Sequence, residues 1–279
     1  MRVIGRDAAT GSGVVAVTHS LASTGSIAAS AFPDATNTGY SGTLTDSSGG
    51  MTISTAGATV TGLHITGELT IDAADVTIRN CFVDNPDDYY VVYVTANATN
   101  VLIEDCELLG GVNAQGALSG PGQWVARRLN VHGAADGVRL QNGCELYDSF
   151  VHDLATSSES HNDGVTADGY TGWRIQHNTI WNSNSQTSCT WVGDPRYDPG
   201  SGTFTDNLLA GGGYAIYAGP ATSDGLYVTD NHFSTKYYPD CGSVGVCAYW
   251  SGTNTTWSGN TWYDGPNAGQ TVPEPDQVS

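Results

Sequence analysis

A pattern of eight residues that recurs about every 25 positions constrains the fold of this chain more than any other feature. It reads apolar, any, apolar, any, polar, then Asn, Cys or a small residue, any, and apolar. Copies occupy 58–65, 76–83, 101–108, 124–131, 144–151, 173–180, 202–209, 226–233 and 255–262. The apolar residues alternate within each copy, which is the period of a β-strand, so each copy predicts a strand.

A second short apolar segment recurs between the copies. It is found at 68–71, 90–94, 137–140, 164–167, 214–217 and 246–250. Strands repeated at this spacing are typical of a parallel β-helix, in which each repeat forms one coil. An antiparallel sandwich would not repeat one pattern nine times at near-constant spacing. We therefore predict an all-β fold, a single-stranded parallel β-helix of about nine coils.

The repeat also predicts two ladders along the rod. The sixth position carries Asn in the last four copies, and these side chains should hydrogen-bond from coil to coil. The third position should form one buried stack along the axis. Its members are Ile78, Ile103, Ala126, Leu146, Ile175, Phe204, Val228 and Trp257.

The repeats divide the chain into three parts. The β-helix is expected over 28–265, preceded by a Gly-, Ser- and Thr-rich segment at 1–27 and followed by a mobile tail at 266–279. The apolar run at 14–17 needs a partner. We therefore expect 1–27 to dock outside the helix, as an anchor or as a homo-oligomer contact.

Charge excludes two classes of partner. The 279 residues include 9 Lys and Arg against 28 Asp and Glu, a net charge of −19. Nucleic acid and anionic membranes need a basic face, so neither is expected to bind. Membrane insertion is not expected, because no apolar run approaches the ~20 residues that span a bilayer. The charge also disfavours polyanionic substrates.

The six cysteines do not follow the spacing of a zinc site, and no metal site of that kind is predicted. Cys241 and Cys247 lie six residues apart across a Gly-rich loop. They could form a disulfide or remain thiols. The first residues lack the apolar core of a secretory signal, so either a signal has been removed or the protein never used one.

The coils resemble the pectate-lyase-like superfamily of right-handed β-helices over roughly 28–265. Three segments are similar to β-helix proteins of actinobacteria and their phages: SIAASAFPDATNTGY at 26–40, TISTAGATVTGLHITG at 52–67 and SHNDG at 160–164. The start, VIGRDAATGSG at 3–13, is similar to that of minor tail proteins of such phages.

This resemblance implies a right-handed helix and a place on the phage tail. There the protein, with little or no enzymatic activity of its own, would contact other tail proteins and a host envelope polysaccharide. The alternative is an extracellular enzyme of an actinobacterium, a polysaccharide lyase or a glycoside hydrolase. The fold carries both kinds of protein, so it does not decide between them.

Ionisable residues fall at equivalent positions on adjacent coils only in the middle of the predicted rod. The repeats align His132 with His152, and a second alignment of 135–140 with 162–167 aligns Asp136 with Asp163. The candidate catalytic or ligand-binding group is His132, Asp136, Arg139, His152, His161 and Asp163. Each residue also has a structural interpretation, since an Asp before Gly often caps a turn and a His at a strand end is often solvated.

Two chemistries could use this group. In a lyase, a His or Arg139 would serve as the base or neutralise a uronate carboxylate, and Asp136 and Asp163 could hold Ca²⁺. A glycoside hydrolase would need two carboxyls, either Asp136 with Asp163 or one of these with Asp153. No other cofactor is expected.

Aromatic residues in the later coils are a second candidate surface. Tyr and Trp present a flat apolar face with a polar edge, which suits stacking on sugar rings. The candidate glycan-binding residues are Trp191, Tyr214, Tyr217, Tyr237, Tyr238, Tyr249 and Trp250. They could instead pack on the rod.

Overall fold

The computed structural model describes residues 31–196 and 199–276. They form 28 β-strands and no helix, arranged as a right-handed parallel β-helix, as predicted. No helix in these ranges is long and apolar enough to cross a membrane. The segment 1–27, predicted to be an anchor, lies outside the described residues.

Three parallel sheets run along the rod, and each complete coil contributes one strand to sheets A, B and C in that order. Sheet A contains Thr45–Ser48 (β1), Leu63–Thr66 (β4), Phe82–Asp84 (β7), Glu107–Leu109 (β10), Asn130–His132 (β13), Phe150–His152 (β16), Thr179–Asn182 (β19), Leu208–Gly211 (β22), His232–Phe233 (β25) and Thr261–Trp262 (β28). Sheet B contains Met51–Ile53 (β2), Leu69–Ile71 (β5), Val92–Val94 (β8), Leu118–Ser119 (β11), Val138–Arg139 (β14), Asn162–Thr166 (β17), Thr187–Trp191 (β20), Tyr214–Tyr217 (β23) and Gly245–Ala248 (β26). Sheet C contains Thr59–Thr61 (β3), Thr77–Arg79 (β6), Val101–Glu104 (β9), Trp124–Arg127 (β12), Glu145–Tyr147 (β15), Thr171–Gln176 (β18), Gly200–Thr205 (β21), Ala221–Thr229 (β24) and Thr255–Ser258 (β27).

The eight-residue repeat spans two strands, not one. Its first half forms a strand of sheet C and its second half a strand of sheet A. Between them, the fifth residue has a positive φ, which lets the chain turn sharply from one sheet to the next. This residue is Gly62, Asn80, Asp105, Arg128, Asp148, His177, Asp206, Asp230 or Gly259. Gly, Asn and Asp tolerate this conformation best, which explains the polar fifth position.

The predicted inward stack is confirmed. Sheet C pairs its third-position residues in register from Ile78 to Trp257. All are buried except Trp257, which is partly exposed on the last complete coil. Each large member contributes about 1.5–3 kcal/mol through burial of its apolar surface.

The predicted asparagine ladder is also confirmed. The Nδ2 group of Asn178 donates to Oδ1 of Asn207 at 3.0 Å, and that of Asn207 to Oδ1 of Asn231 at 3.1 Å. Asn231 donates in the same way to Asn260 at 3.1 Å. All four side chains are fully buried. A buried amide is stable only with its partners in place, so the ladder sets the spacing of the last coils.

The β-helix begins later than predicted, since its first strand starts at Thr45. Residues before it lie across the outer face of sheet A. The ring of Phe32 packs 5.1 Å from that of His232, near one end of the rod. Tyr40 stacks on Phe82 at 5.8 Å, near the other end. Apolar rings on both surfaces explain why this segment runs along the sheet instead of forming a coil.

The residues predicted to be a mobile tail pack on the last coil as far as Glu274. Val272 is buried, and its carbonyl accepts a hydrogen bond of 3.0 Å from Nε1 of Trp257. Nε1 of Trp250 donates to the Glu274 carboxylate at 2.9 Å. This segment covers the apolar end of the helix, which would otherwise be open to edge pairing.

Candidate functional site

A cleft of about 690 Å³ lies over the outer face of sheet B. It extends from coil three to coil seven, counting coils from β1. Loops that join sheets A and B border one side, and loops that join sheets B and C border the other. The lining residues are Tyr89, Tyr90, Gln115, Ser119, Asp136, Arg139, Leu140, Gln141, Glu159, His161, Asp163, Thr166, Asp168, Tyr170 and Trp191.

Asp136 and Asp163 lie side by side in the cleft, on coils five and six. The pairing of Val138 with Val165 sets this register, as the alignment of the two Asp-Gly segments predicts. The N–H of Asp163 donates to Oδ1 of Asp136 at 3.1 Å. A Cβ atom at Gly137 would lie 2.2 Å from the Gly164 carbonyl oxygen, so the coils approach this closely only with Gly after the first Asp.

The two carboxyls have different pKa values. Burial and then the charge of Asp136 raise the pKa of Asp163 to about 8, against the hydrogen bond of 2.5 Å that Ser188 Oγ donates. Burial also raises the pKa of Asp136, to about 6, while the Asp163 N–H and the charge of Arg139 oppose the shift. The pair therefore takes up a proton at a higher pH than two ordinary carboxyls would, and Asp163, the more deeply buried of the two, holds it more strongly than Asp136.

Arg139 and His161 lie at the rim of the same cleft. Nη1 of Arg139 is 4.0 Å from Oδ2 of Asp136 and donates to the Gln115 carbonyl at 3.0 Å. His161 is exposed, and its Nδ1 is 3.0 Å from Nε2 of Gln186 on the next coil. The structure thus brings together four of the six candidate catalytic residues.

His132 and His152 do not join this group, contrary to the predicted convergence. They stack on one another at 5.2 Å, as their register requires, but on sheet A. His132 pairs with Glu107 at 2.9 Å, and His152 with Asp153 at 2.8 Å. Because Asp153 pairs with His152 on sheet A, it is not a partner for Asp136 or Asp163. The repeat correctly predicts that these two rings stack. The turn between sheets A and B, however, places them on a different face of the rod from the cleft.

The candidate glycan-binding residues separate into three locations. Trp191 lines the cleft, and the Tyr217 ring stacks on it at 5.1 Å. Tyr214 and Tyr249 contact Tyr217 at 5.6 and 5.5 Å, so these four rings form one surface on sheet B beside the cleft. Arg196 lies 5.6 Å from the Tyr249 ring, at the edge of this surface.

The other three aromatic candidates lie elsewhere. Tyr237 and Tyr238 line a separate pocket in the loop between β25 and β26, where the Tyr238 hydroxyl donates to the Ser183 carbonyl at 3.1 Å. Trp250 is 1% exposed and packs against Trp257 at 5.4 Å, so its assignment as a glycan contact is wrong. A fully packed ring offers no face to a sugar.

Asp168 is a cleft residue that the sequence reasoning missed. Its pKa is raised to about 6, mainly by burial and then by the charge of Asp194. One of its oxygens, Oδ1, is buried with no hydrogen-bond partner in the described parts of the chain. The sequence does contain a signal for this residue: Asp168 precedes Gly169, just as Asp136 and Asp163 each precede a glycine.

The predicted calcium site does not fit the carboxyl pair. Ca²⁺ takes 6–8 oxygen ligands, whereas Oδ1 of Asp136 accepts from the Asp163 N–H, Oδ1 of Asp163 accepts from Ser188, and the Arg139 guanidinium lies 4.0 Å from Asp136. Across 31–196 and 199–276, no group of three or more His, Cys, Asp or Glu residues is arranged to hold a metal ion. Cys241 and Cys247 are free thiols that donate to backbone carbonyls.

No protein-family model matches the chain, and the search of curated proteins found no match. The architecture and the site therefore define the class of this protein. It is a right-handed parallel β-helix with a carboxyl-lined cleft on sheet B.

Proposed function

We propose that the cleft on sheet B hydrolyses a glycosidic bond of a polysaccharide. The observation that carries the proposal is the pair of buried carboxyls that stack on adjacent coils in the cleft, where burial raises the pKa of Asp163 above that of Asp136. Glycoside hydrolysis needs such a pair, since one group must donate a proton while the other bears a negative charge.

The spacing of the pair favours a retaining mechanism. Residues in register on adjacent coils lie about 4.8 Å apart. This is close to the ~5–5.5 Å between the carboxyls of retaining hydrolases and shorter than the ~6.5–9.5 Å of inverting ones. Asp136 would attack the anomeric carbon while Asp163 protonates the leaving oxygen. Asp163 would then deprotonate a water molecule, which releases the sugar from Asp136.

The surroundings of the pair support a sugar substrate. Trp191 lines the same cleft as the carboxyls and Tyr217 stacks on it, and aromatic faces bind sugar rings through their apolar sides. Arg139 stabilises the ionised form of Asp136. A net charge of −19 favours a neutral polysaccharide over a polyanionic one.

The pH dependence of hydrolysis tests the proposal. With soluble arabinogalactan, xylan and polygalacturonate as probes, we expect new reducing ends from at least one neutral polymer. The value of kcat/KM should rise as Asp136 ionises near pH 6 and fall as Asp163 ionises near pH 8. Unsaturated products that absorb in the ultraviolet would indicate a lyase and contradict hydrolysis.

We also propose that the substrate is an envelope polysaccharide and that the protein acts on a phage tail. The support is the similarity of 3–13 to minor tail proteins and of 160–164, beside the cleft, to phage β-helix proteins. A cleft that cuts an envelope glycan suits a tail protein, because it clears a path to the cell surface. An extracellular enzyme remains the alternative setting for the same cleft.

Deletion of 1–27 tests the tail setting. The truncated chain is expected to keep the melting temperature and hydrolysis rate of the full chain, because the carboxyl pair and the coils lie after Thr45. Its incorporation into phage particles, measured by mass spectrometry of purified virions beside the full chain, should be lost. Normal incorporation of the truncated chain would contradict the anchor role.

A further inference from the structure

The outward residues of sheet B form one row along the cleft. Backbone pairing joins Tyr93 to Ser119, Arg139 to Thr166, and Thr166 to Trp191. The pairing of β11 with β14 connects the first two pairs. Tyr93 and Trp191 are thus four coils apart, about 19 Å at about 4.8 Å per coil.

The row is aromatic at both ends and polar in the middle. Tyr90 stacks on Tyr93 at 4.9 Å, and Tyr89 contacts Tyr90 edge-on at 4.8 Å. Tyr89 is 56% exposed, and both Tyr89 and Tyr90 line the cleft. These three rings, which we name the tyrosine platform, lie on coil three. Trp191 and Tyr217 lie on coils seven and eight.

The carboxyl pair lies between these two aromatic surfaces, on coils five and six. We propose that the tyrosine platform is a second sugar-binding surface, so that the cleft holds an internal stretch of a polysaccharide and cleaves it away from its ends. This inference rests on the proposed hydrolysis. A chain-end enzyme needs sugar contacts on one side of the reacting bond, with the other side closed, whereas this row continues on both sides.

Binding to a hydrolysis-deficient protein tests the platform. In an Asp163→Asn background, affinity electrophoresis through arabinogalactan or xylan should show at least tenfold weaker binding for Tyr93→Ala and for the exposed Tyr89→Ala. Tyr93→Phe keeps the ring and should bind like the background. Tyr227→Ala is the matched control, because Tyr227 is 44% exposed on sheet C, away from the cleft.

The products of the wild-type chain give a second measurement. Cleavage of internal bonds lowers the viscosity of the polymer before many reducing ends appear. Short sugars from the outset, or binding by Tyr93→Ala and Tyr89→Ala equal to that of Tyr227→Ala, would overturn the platform and leave the proposed hydrolysis standing. No binding and no products with any probe would overturn both.

Discussion

Replacing Asp163 by Asn is expected to lower kcat by about 10²–10⁴-fold, the usual contribution of a general acid or base. The amide side chain would keep the size of the protonated carboxyl and could still accept the hydrogen bond from Ser188, but it has no acidic proton to give to the leaving oxygen. Binding of the polysaccharide should remain, because the aromatic surfaces are untouched. Initial rates of reducing-end release and affinity electrophoresis separate the two effects.

Asp224→Asn is the control for this substitution. Asp224 is exposed on sheet C, and its loss removes one charge without altering the cleft. Its rate should equal that of the wild type. Full activity of Asp163→Asn on a polymer that the wild type hydrolyses would exclude Asp163 from the reaction.

The Asp163→Asn substitution should also change how the stability of the protein depends on pH. The pKa of Asp163 is raised from the ordinary 3.8 to about 8 in the folded chain, so the folded state loses stability as the pH rises through this range. The Asn side chain stays neutral and avoids that loss. The variant should therefore gain stability relative to the wild type from pH 4 to pH 9, by about 1.4 kcal/mol per unit of raised pKa at most. A melting-temperature difference that does not change with pH would contradict the raised pKa.

Asn207→Ala is expected to lower the free energy of unfolding by about 3–5 kcal/mol, since each buried polar group left without a partner costs ~1–3 kcal/mol. Oδ1 of Asn207 accepts from the backbone and the side chain of Asn178, both at 3.0 Å. Its Nδ2 donates to the carbonyls of Ile175 and Thr205 at 3.0 Å and to Asn231. Alanine removes all of these bonds.

Urea unfolding followed by tryptophan fluorescence measures the effect. Asn113→Ala is the control, because Asn113 is exposed in the loop between β10 and β11 and should shift the midpoint little. Coils contact mainly their neighbours, so the loss should be greatest in the coils around β22. Equal midpoints for the two variants would show that the ladder adds nothing to stability.

The repeat by itself determined most of the fold. Apolar residues that recur at a fixed spacing place Ile78, Ile103 and Phe204 in one stack, because each coil must repeat the path of the coil before it. The asparagine ladder and the pairing of Asp136 with Asp163 follow from the same argument. The register between neighbouring strands is set by the alternation of inward and outward residues along each strand, and this alternation is visible in the sequence.

The tertiary structure decided which stacks share a face. A coil has three sheets, and the angles of the turns between them are not part of the repeat. His132 and Asp136 are four residues apart, yet one lies on sheet A and the other faces the cleft on sheet B. Trp250 is buried, and the pKa of Asp163 is raised by burial, because residues distant in sequence pack around these side chains. Both properties therefore appear only in the folded rod.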